Sequence, residues 1–314
     1  MTVLVCAGCG ASKSAVTQPP LPPAYPVATA TDAQAQAPED SAPPVDTAQQ
    51  SPPTPAAPKP RASRHILSSA DQSSFLALQR SLGGRIGLAV SGLGIGQTVQ
   101  VVGGLREGVA WSTSKVPVAM AVYEAGLASA QQANLKAAIT ASDNAAAERL
   151  WASLGGGQQA ASAADAQLRA AGDQRTRTES RQLRSGFTPF GQTSWALTDQ
   201  VRFTAGMACS QAGSQVLGLM NQTVAGQRWG LGAAGVEAQL KGGWGPGTRP
   251  GAGGGYLDRQ MGVMTIRGKP MAITIAAAPT NGSHDTGVAE LTSMARWAAS
   301  HVNVSRLPSR PRCN

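Results

Sequence analysis

The chain has 314 residues, and 13 of its 21 prolines fall between Pro19 and Pro60, so the first fifth cannot pack and a folded part begins near Ala62. Hydrophobic residues make up 42% of the chain although aromatics are only 4%, and their periodic spacing after Ser68 suffices for one sizeable core. This excludes global disorder, collagen and coiled coil. The formal net charge is +9, of which residues 1–60 carry −2 and the rest +11, mostly as scattered arginine without a dense basic run or a nucleic-acid-binding signature.

That distribution predicts a diffuse positive surface, with proximity to an anionic polymer such as a cell wall as the sharper alternative. No apolar run approaches the ~20 residues needed to span a bilayer. At the start, Val3-Leu4-Val5-Cys6-Ala7-Gly8-Cys9 resembles the end of a bacterial lipoprotein signal, in which a small pair precedes the lipidated cysteine, here Cys9. Only eight residues precede Cys9, too few for a charged region plus an apolar core, so the expectation is that translation starts upstream of Met1. Residues 1–9 are then a signal remnant, 10–65 a Pro/Ala-rich tether, 66–306 the folded domain and 307–314 a tail. A merely disordered N-terminus is the competing reading.

In chain order, a helix is expected from Ser68, capped by Asp71 or a neighbouring serine, with Phe75, Leu78 and Leu82 on one side and Gly83-Gly84 as its stop. Arg85–Val90 and Thr98–Val102 read as a hairpin around Gly92–Gly96; without a full G-x-G-x-x-G and with a strand following, these glycines make no dinucleotide site. After Trp111 the period becomes helical, with segments at Val116–Tyr123, Leu135–Thr140, Ala145–Ser153, Gln158–Ala171 and Ser194–Met207. Val236–Leu240, Leu257–Arg267 and Met271–Ala277 read as three strands, and Val288–Val302 as a closing amphipathic helix. A hairpin, a block of helices, three strands and a final helix predict an α+β domain whose antiparallel sheet of about five strands is assembled from both chain ends.

The three histidines, His65, His284 and His301, have no metal-ligand spacing, no G-x-S-x-G elbow is present, and no cofactor is called for. Ser112-Thr113-Ser114-Lys115 instead puts a hydroxyl and an amine one turn apart at a helix start. A desolvated lysine can lose its proton, and the helix dipole favours negative charge on a serine there. Thirty residues on comes Ser142-Asp143-Asn144, and 99 further Lys241-Gly242-Gly243. Each alone has a plain explanation, as a chance pair, an N-cap or a strand-end charge before turn glycines.

Together these elements resemble the penicillin-recognising serine hydrolases, nearest the class A β-lactamases, with their S-x-x-K, S-D-N and K-[ST]-G sequences. The stretch 135–156, LKAAITASDNAAAERLWASLGG, is similar to the class A helix that carries S-D-N, and the resemblance extends over about 68–303. It implies a β-lactamase/transpeptidase-like fold, with Ser112 as acylated nucleophile, Lys115 as base and Ser142 as proton relay to the leaving nitrogen. Asn144 would hold Lys115 and the substrate amide. Lys241, with Gly243 beside it and Arg259 on the next strand as a further candidate, would bind a substrate carboxylate, and the N–H groups of Ser112 and Trp244 would form the oxyanion hole. Substrates would be a β-lactam or a peptidoglycan stem peptide, with no nucleic acid, a membrane met only through a lipid anchor, and a monomeric chain.

Three departures stand out. The interval from Ser112 to Ser142 is short, which implies a reduced helical subdomain and an open cleft. Gly242 replaces the usual hydroxyl, and an extended loop, Gly245–Gly255, follows. For the deacylating glutamate, Glu179 in Arg177-Thr178-Glu179 is the one carboxylate in the expected loop, yet anchoring on Gly172-Asp173 puts Gln182 there instead. Efficient β-lactamase and slow-deacylating peptidase or penicillin binder therefore both stand, against an inert wall-associated lipoprotein that keeps the fold. Cys209 and Cys313 are expected to pair if the chain is exported to an oxidising space, or to the outer face of the cell membrane.

Overall fold

The computed structural model describes residues 65–313. The expected signal remnant, lipidated Cys9 and tether therefore lie outside the described residues, apart from His65 at the tether's end.

The fold opens with helix α1 (Ser69–Leu82), whose N-cap is Ser68; Asp71 bonds back to the Ser68 amide, completing a capping box. Strands β1 (Arg85–Gly92) and β2 (Val99–Gly103) form the expected hairpin. The late strands β5 (Glu237–Pro246), β6 (Tyr256–Ile266) and β7 (Lys269–Ala278) complete an antiparallel sheet of order β2-β1-β7-β6-β5. Arg267 and Gly268 both have positive φ in the β6–β7 turn, as the right-handed twist of a tight hairpin requires. Among the described residues no helix is long and apolar enough to cross a membrane.

Two cores flank the sheet. On its outer face α1 and α8 (His284–His301) bury Phe75, Leu291, Met294 and Trp297, with Phe75 meeting Trp297 edge to face at 4.9 Å. On the inner face lie α2 (Lys115–Glu124), α3 (Gln132–Thr140), α4 (Asn144–Ser153), α5 (Gly157–Ala170), α6 (Leu197–Gly206) and α7 (Gln211–Met220). Helix α2 is buried from Lys115 to Val122 and is apolar on all sides except at Lys115, which makes it the central helix against which α3, α4, α5 and α7 pack.

Three expectations are corrected. The helix expected from Ser194 starts at Leu197, because Ser194–Ala196 form strand β4 and pair with β3 (Glu107–Val109) in a separate ribbon. Strand β5 does not stop at Leu240 but runs through Lys241, Gly242 and Gly243 to Pro246. Its glycines read as turn signals, whereas they mark close approach: a Cβ on Gly243 would lie 2.8 Å from Ser112 N and 2.9 Å from Ala110 O. His284, expected in a loop, is the first residue of α8. Cys209 and Cys313 are joined by a disulfide, which ties the end of the chain to the turn after α6.

Candidate active site

Ser112 lies in a 3-10 turn, Trp111–Ser114, that runs directly into α2, so its side chain and that of Lys115 emerge from successive turns. The turn is entered through Trp111 at φ 47°, a left-handed conformation costing a non-glycine residue ~1–3 kcal/mol. Ser142 is strained in the same way at φ 60°, immediately before Asp143 caps α4 by accepting from Ala146 N at 2.6 Å. Of the three positive-φ non-glycine residues in the described chain, one is the predicted Ser142 and another, Trp111, directly precedes the predicted Ser112.

The lysines meet at Ser142. Lys115 Nζ donates to Ser142 O at 2.5 Å and to Asn144 Oδ1 at 2.7 Å, and lies 3.4 Å from Ser142 Oγ. Lys241 Nζ donates to the same Oγ at 2.7 Å and to Gly242 O at 2.7 Å. Each lysine is 1% exposed, and every one of these acceptors is neutral. Burial pulls the Lys115 amine down to about 7, only partly opposed by Asp143 and Glu148. Lys241 is driven well below its ordinary value, first by burial and then by Lys115. Among the described residues no hydrogen bond reaches Ser112 Oγ, and Ser112 is half-buried. Edge strand β5 packs on the Ser112 turn, so Trp244 lies where alternate backbone N–H groups have no ladder partner.

Arg259 is the clearest correction. Register pairs it with Gly243, but its guanidinium is fully buried and donates to Gly108 O at 2.9 Å, Val109 O at 3.1 Å, Trp195 O at 3.2 Å and Gln200 Oε1 at 2.6 Å. It therefore ties the β3–β4 ribbon and α6 to the sheet beneath the Ser112 turn and has no free fork to offer a substrate carboxylate. Burial lowers its pKa to about 9.

Glu179 is not brought to the lysine network. Its carboxylate accepts from the Arg181 guanidinium at 3.0 Å and from the amides of Ser180 and Arg181, and the Arg181 pairing holds it below the usual carboxylate range. Gln182 is exposed.

Sequence reasoning missed the outer side of β5. There Trp229, Trp244, Tyr256 and His284 cluster, all half-buried, and His284 Nδ1 pairs with buried Asp258 at 2.5 Å. Behind them Glu290 is 2% exposed, with both carboxylate oxygens unpartnered. Burial raises Asp258 to about 6 and Glu290 to about 7, the latter pushed further by Asp258. The aromatic residues carried no motif, and strand alternation alone could have put Gly242 and Trp244 on one face.

No family model matches the chain, and no curated protein matches it. Solved structures do. A class A β-lactamase from Mycobacterium abscessus superposes with TM-score 0.55 at 16% identity, covering 73% of this chain and 97% of that one. The β-lactamase from Streptomyces albus G matches with TM-score 0.54 at 18% identity over 75% of this chain and all 100% of its own. The chromosome-encoded β-lactamase of Vibrio parahaemolyticus gives 0.54 at 15%, covering 74% and 98%. At such identities the likeness speaks for architecture, and the chain has the fold of the class A β-lactamases.

Proposed function

We propose that the chain is an active-site serine hydrolase that is acylated at Ser112 by β-lactams or D-alanyl-type peptides of peptidoglycan. The observation that carries this reading is the placement of one hydroxyl, Ser142 Oγ, between two desolvated amines beside the strained Ser112 turn. Neutral Lys115 takes the proton from Ser112 Oγ as it attacks the carbonyl, and the tetrahedral oxygen is held by the N–H groups of Ser112 and Trp244. Ser142 then passes a proton to the leaving nitrogen and regains one from the lysines. Lys115 is available for this, since an amine at about pKa 7 is half neutral at neutral pH.

Deacylation is slow in this reading, because Glu179 is committed to Arg181 and a carboxylate held below its usual range is a weak base. That favours a penicillin binder or peptidase over an efficient β-lactamase. The Cys209–Cys313 disulfide supports export, since such bonds persist outside reducing compartments, and with it the proposal of a monomeric domain tethered to a lipidated Cys9. Intact mass after minutes and hours with a penicillin is the test: a lasting adduct, mapped to Ser112 and absent in Ser112→Ala, is expected. No adduct, or one elsewhere, refutes the assignment.

A further inference from the structure

The Ser112 turn is held from beneath by a chain of hydrogen bonds whose direction is fixed at one end. Arg259, Gln200 and Thr113 are all fully buried. A guanidinium can only donate, so the side-chain carbonyl of Gln200 must face it, and Arg259 Nη2 donates to Gln200 Oε1 at 2.6 Å. The amide nitrogen is thereby turned to the other side. Gln200 Nε2 donates to Thr113 Oγ1 at 2.9 Å, with Met261 Sδ at 3.6 Å as its second neighbour. The Thr113 hydroxyl, accepting there, sends its own proton to Ala110 O at 2.5 Å.

This chain ends on the peptide that sets the turn. Ala110 O also accepts from Thr113 N at 3.1 Å, and Ala110 N donates to Thr193 O at 2.8 Å, so the peptide units on both sides of Ala110 are fixed. The next residue, Trp111, takes its left-handed φ of 47° against that fixed carbonyl, and the peptide after it carries the Ser112 N–H. Such a conformation persists only where its neighbours over-determine it. Strand β5 is seated on the same atoms: a Cβ on Gly243 would lie 2.9 Å from Ala110 O and 2.8 Å from Ser112 N. The turn that carries the Ser112 N–H and the strand that carries the Trp244 N–H therefore meet at Ala110, and Gln200 is the link that transmits the orientation of Arg259 to it.

Resting on the assignment of Ser112 as the acylated residue, we infer that Gln200 is a positioning residue for acylation: it sets the direction of the Thr113 hydroxyl and, through Ala110, the aim of the Ser112 N–H at the developing oxyanion. Exchanging its nitrogen for oxygen reverses the middle of the chain and keeps the Arg259 end. In Gln200→Glu the carboxylate still accepts from Arg259, now as a charged pair, but Thr113 must turn its proton toward that carboxylate and release Ala110 O. The variant thus separates stability from turn geometry.

Acylation by a fluorescent penicillin, followed over a range of concentrations, gives the rate at saturation and the concentration for half that rate. Gln200→Glu is expected to lower the saturating rate ~10-fold, less than the ~10²–10³ for outright loss of an oxyanion donor. The half-saturating concentration should stay within about twofold of wild type, and the melting temperature should not fall. Thr113→Val should lower the rate by the same ~10-fold, Thr113→Ser should keep it, and the Gln200→Glu, Thr113→Val double variant should be no slower than either single one, because both break one chain. A folded Gln200→Glu that acylates within about twofold of wild type, a change carried by the half-saturating concentration instead, or losses that multiply in the double variant overturns the proposal. Should Gln200→Glu fail to fold, the contrast between Thr113→Val and Thr113→Ser decides. Wild-type protein that takes no adduct on Ser112 removes the hydrolase reading and the positioning role with it, whereas an adduct insensitive to these variants removes the positioning role alone.

Discussion

Strand β5 has two faces with opposite chemistry. Lys241 and Gly243 point inward, where Lys115 and Lys241 are buried with only neutral oxygens as hydrogen-bond acceptors. Gly242 and Trp244 point outward, where Asp258 and Glu290 are buried among rings with no lysine or arginine bonded to them. Both faces shift protonation by the same cause, desolvation, but in opposite senses: amines on one side become neutral, acids on the other stay protonated to higher pH. The inner face is thereby equipped to move a proton.

The comparison breaks most sharply at Lys115. Lys115→Met should lower the acylation rate by ~10²–10⁴, the range for loss of a general base. The same change should raise stability by roughly 1 kcal/mol or more, about 2–4 °C in melting temperature for a domain of this size, because an uncompensated buried cation is removed. In the wild type, acylation should fall about tenfold per unit below pH 7 and level off above it, since only the neutral amine accepts the proton. The stability sign follows from the same shift. The folded amine titrates near 7 and the unfolded one near its ordinary value, so the unfolded chain binds more protons between them and stability rises with pH across that window. An acylation rate that is flat from pH 5.5 to 8 would remove Lys115 as base.

Arg259 sharpens the comparison from beneath. It shares the inner face with Gly243 yet touches no other predicted site residue, and it acts by holding Gly108 and Val109, the residues that lead into the Ser112 turn. Arg259→Met strands three backbone carbonyls and Gln200 without their donor, at ~1–3 kcal/mol for each buried unsatisfied group. Thermal melting should show a loss of about 3 kcal/mol or more. A merely substrate-binding arginine would instead leave the melt unchanged and raise KM alone.

What was legible in the sequence follows the same division. Ser112 and Lys115, and Ser142 with Asn144, are separated by one turn or less, so local spacing sufficed to single them out before any fold was known. The sheet was legible from both chain ends because β1, β2, β6 and β7 carry Val, Ile or Thr between turn signals, and β5 was shortened only because its glycines serve close approach as well as turns. Arg259 was misread because the spacing along β6 does not say which layer lies beneath it. The outer face was legible only as far as strand alternation puts Gly242 and Trp244 on one side: Trp229, Trp244, Asp258, His284 and Glu290 come from four separate segments, and only strand register and the seating of α8 bring them together.

The smallest effect is expected where the chain departs furthest from both faces. Glu179 bonds to neither lysine and is held by Arg181 and two backbone amides, so its carboxylate is already satisfied and poorly basic. Its pairing with an arginine whose side chain is 78% exposed has the character of a surface salt bridge, which contributes little to stability. Glu179→Gln should therefore leave both the acylation rate and the adduct lifetime within about twofold of wild type, measured by intact mass over time, whereas a working general base would lengthen that lifetime by ~10² or more. A wild-type adduct that clears in under about a second and persists in Glu179→Gln would mean that this loop rearranges around bound substrate and delivers the carboxylate, and the slow-deacylation reading would give way to that of an efficient β-lactamase.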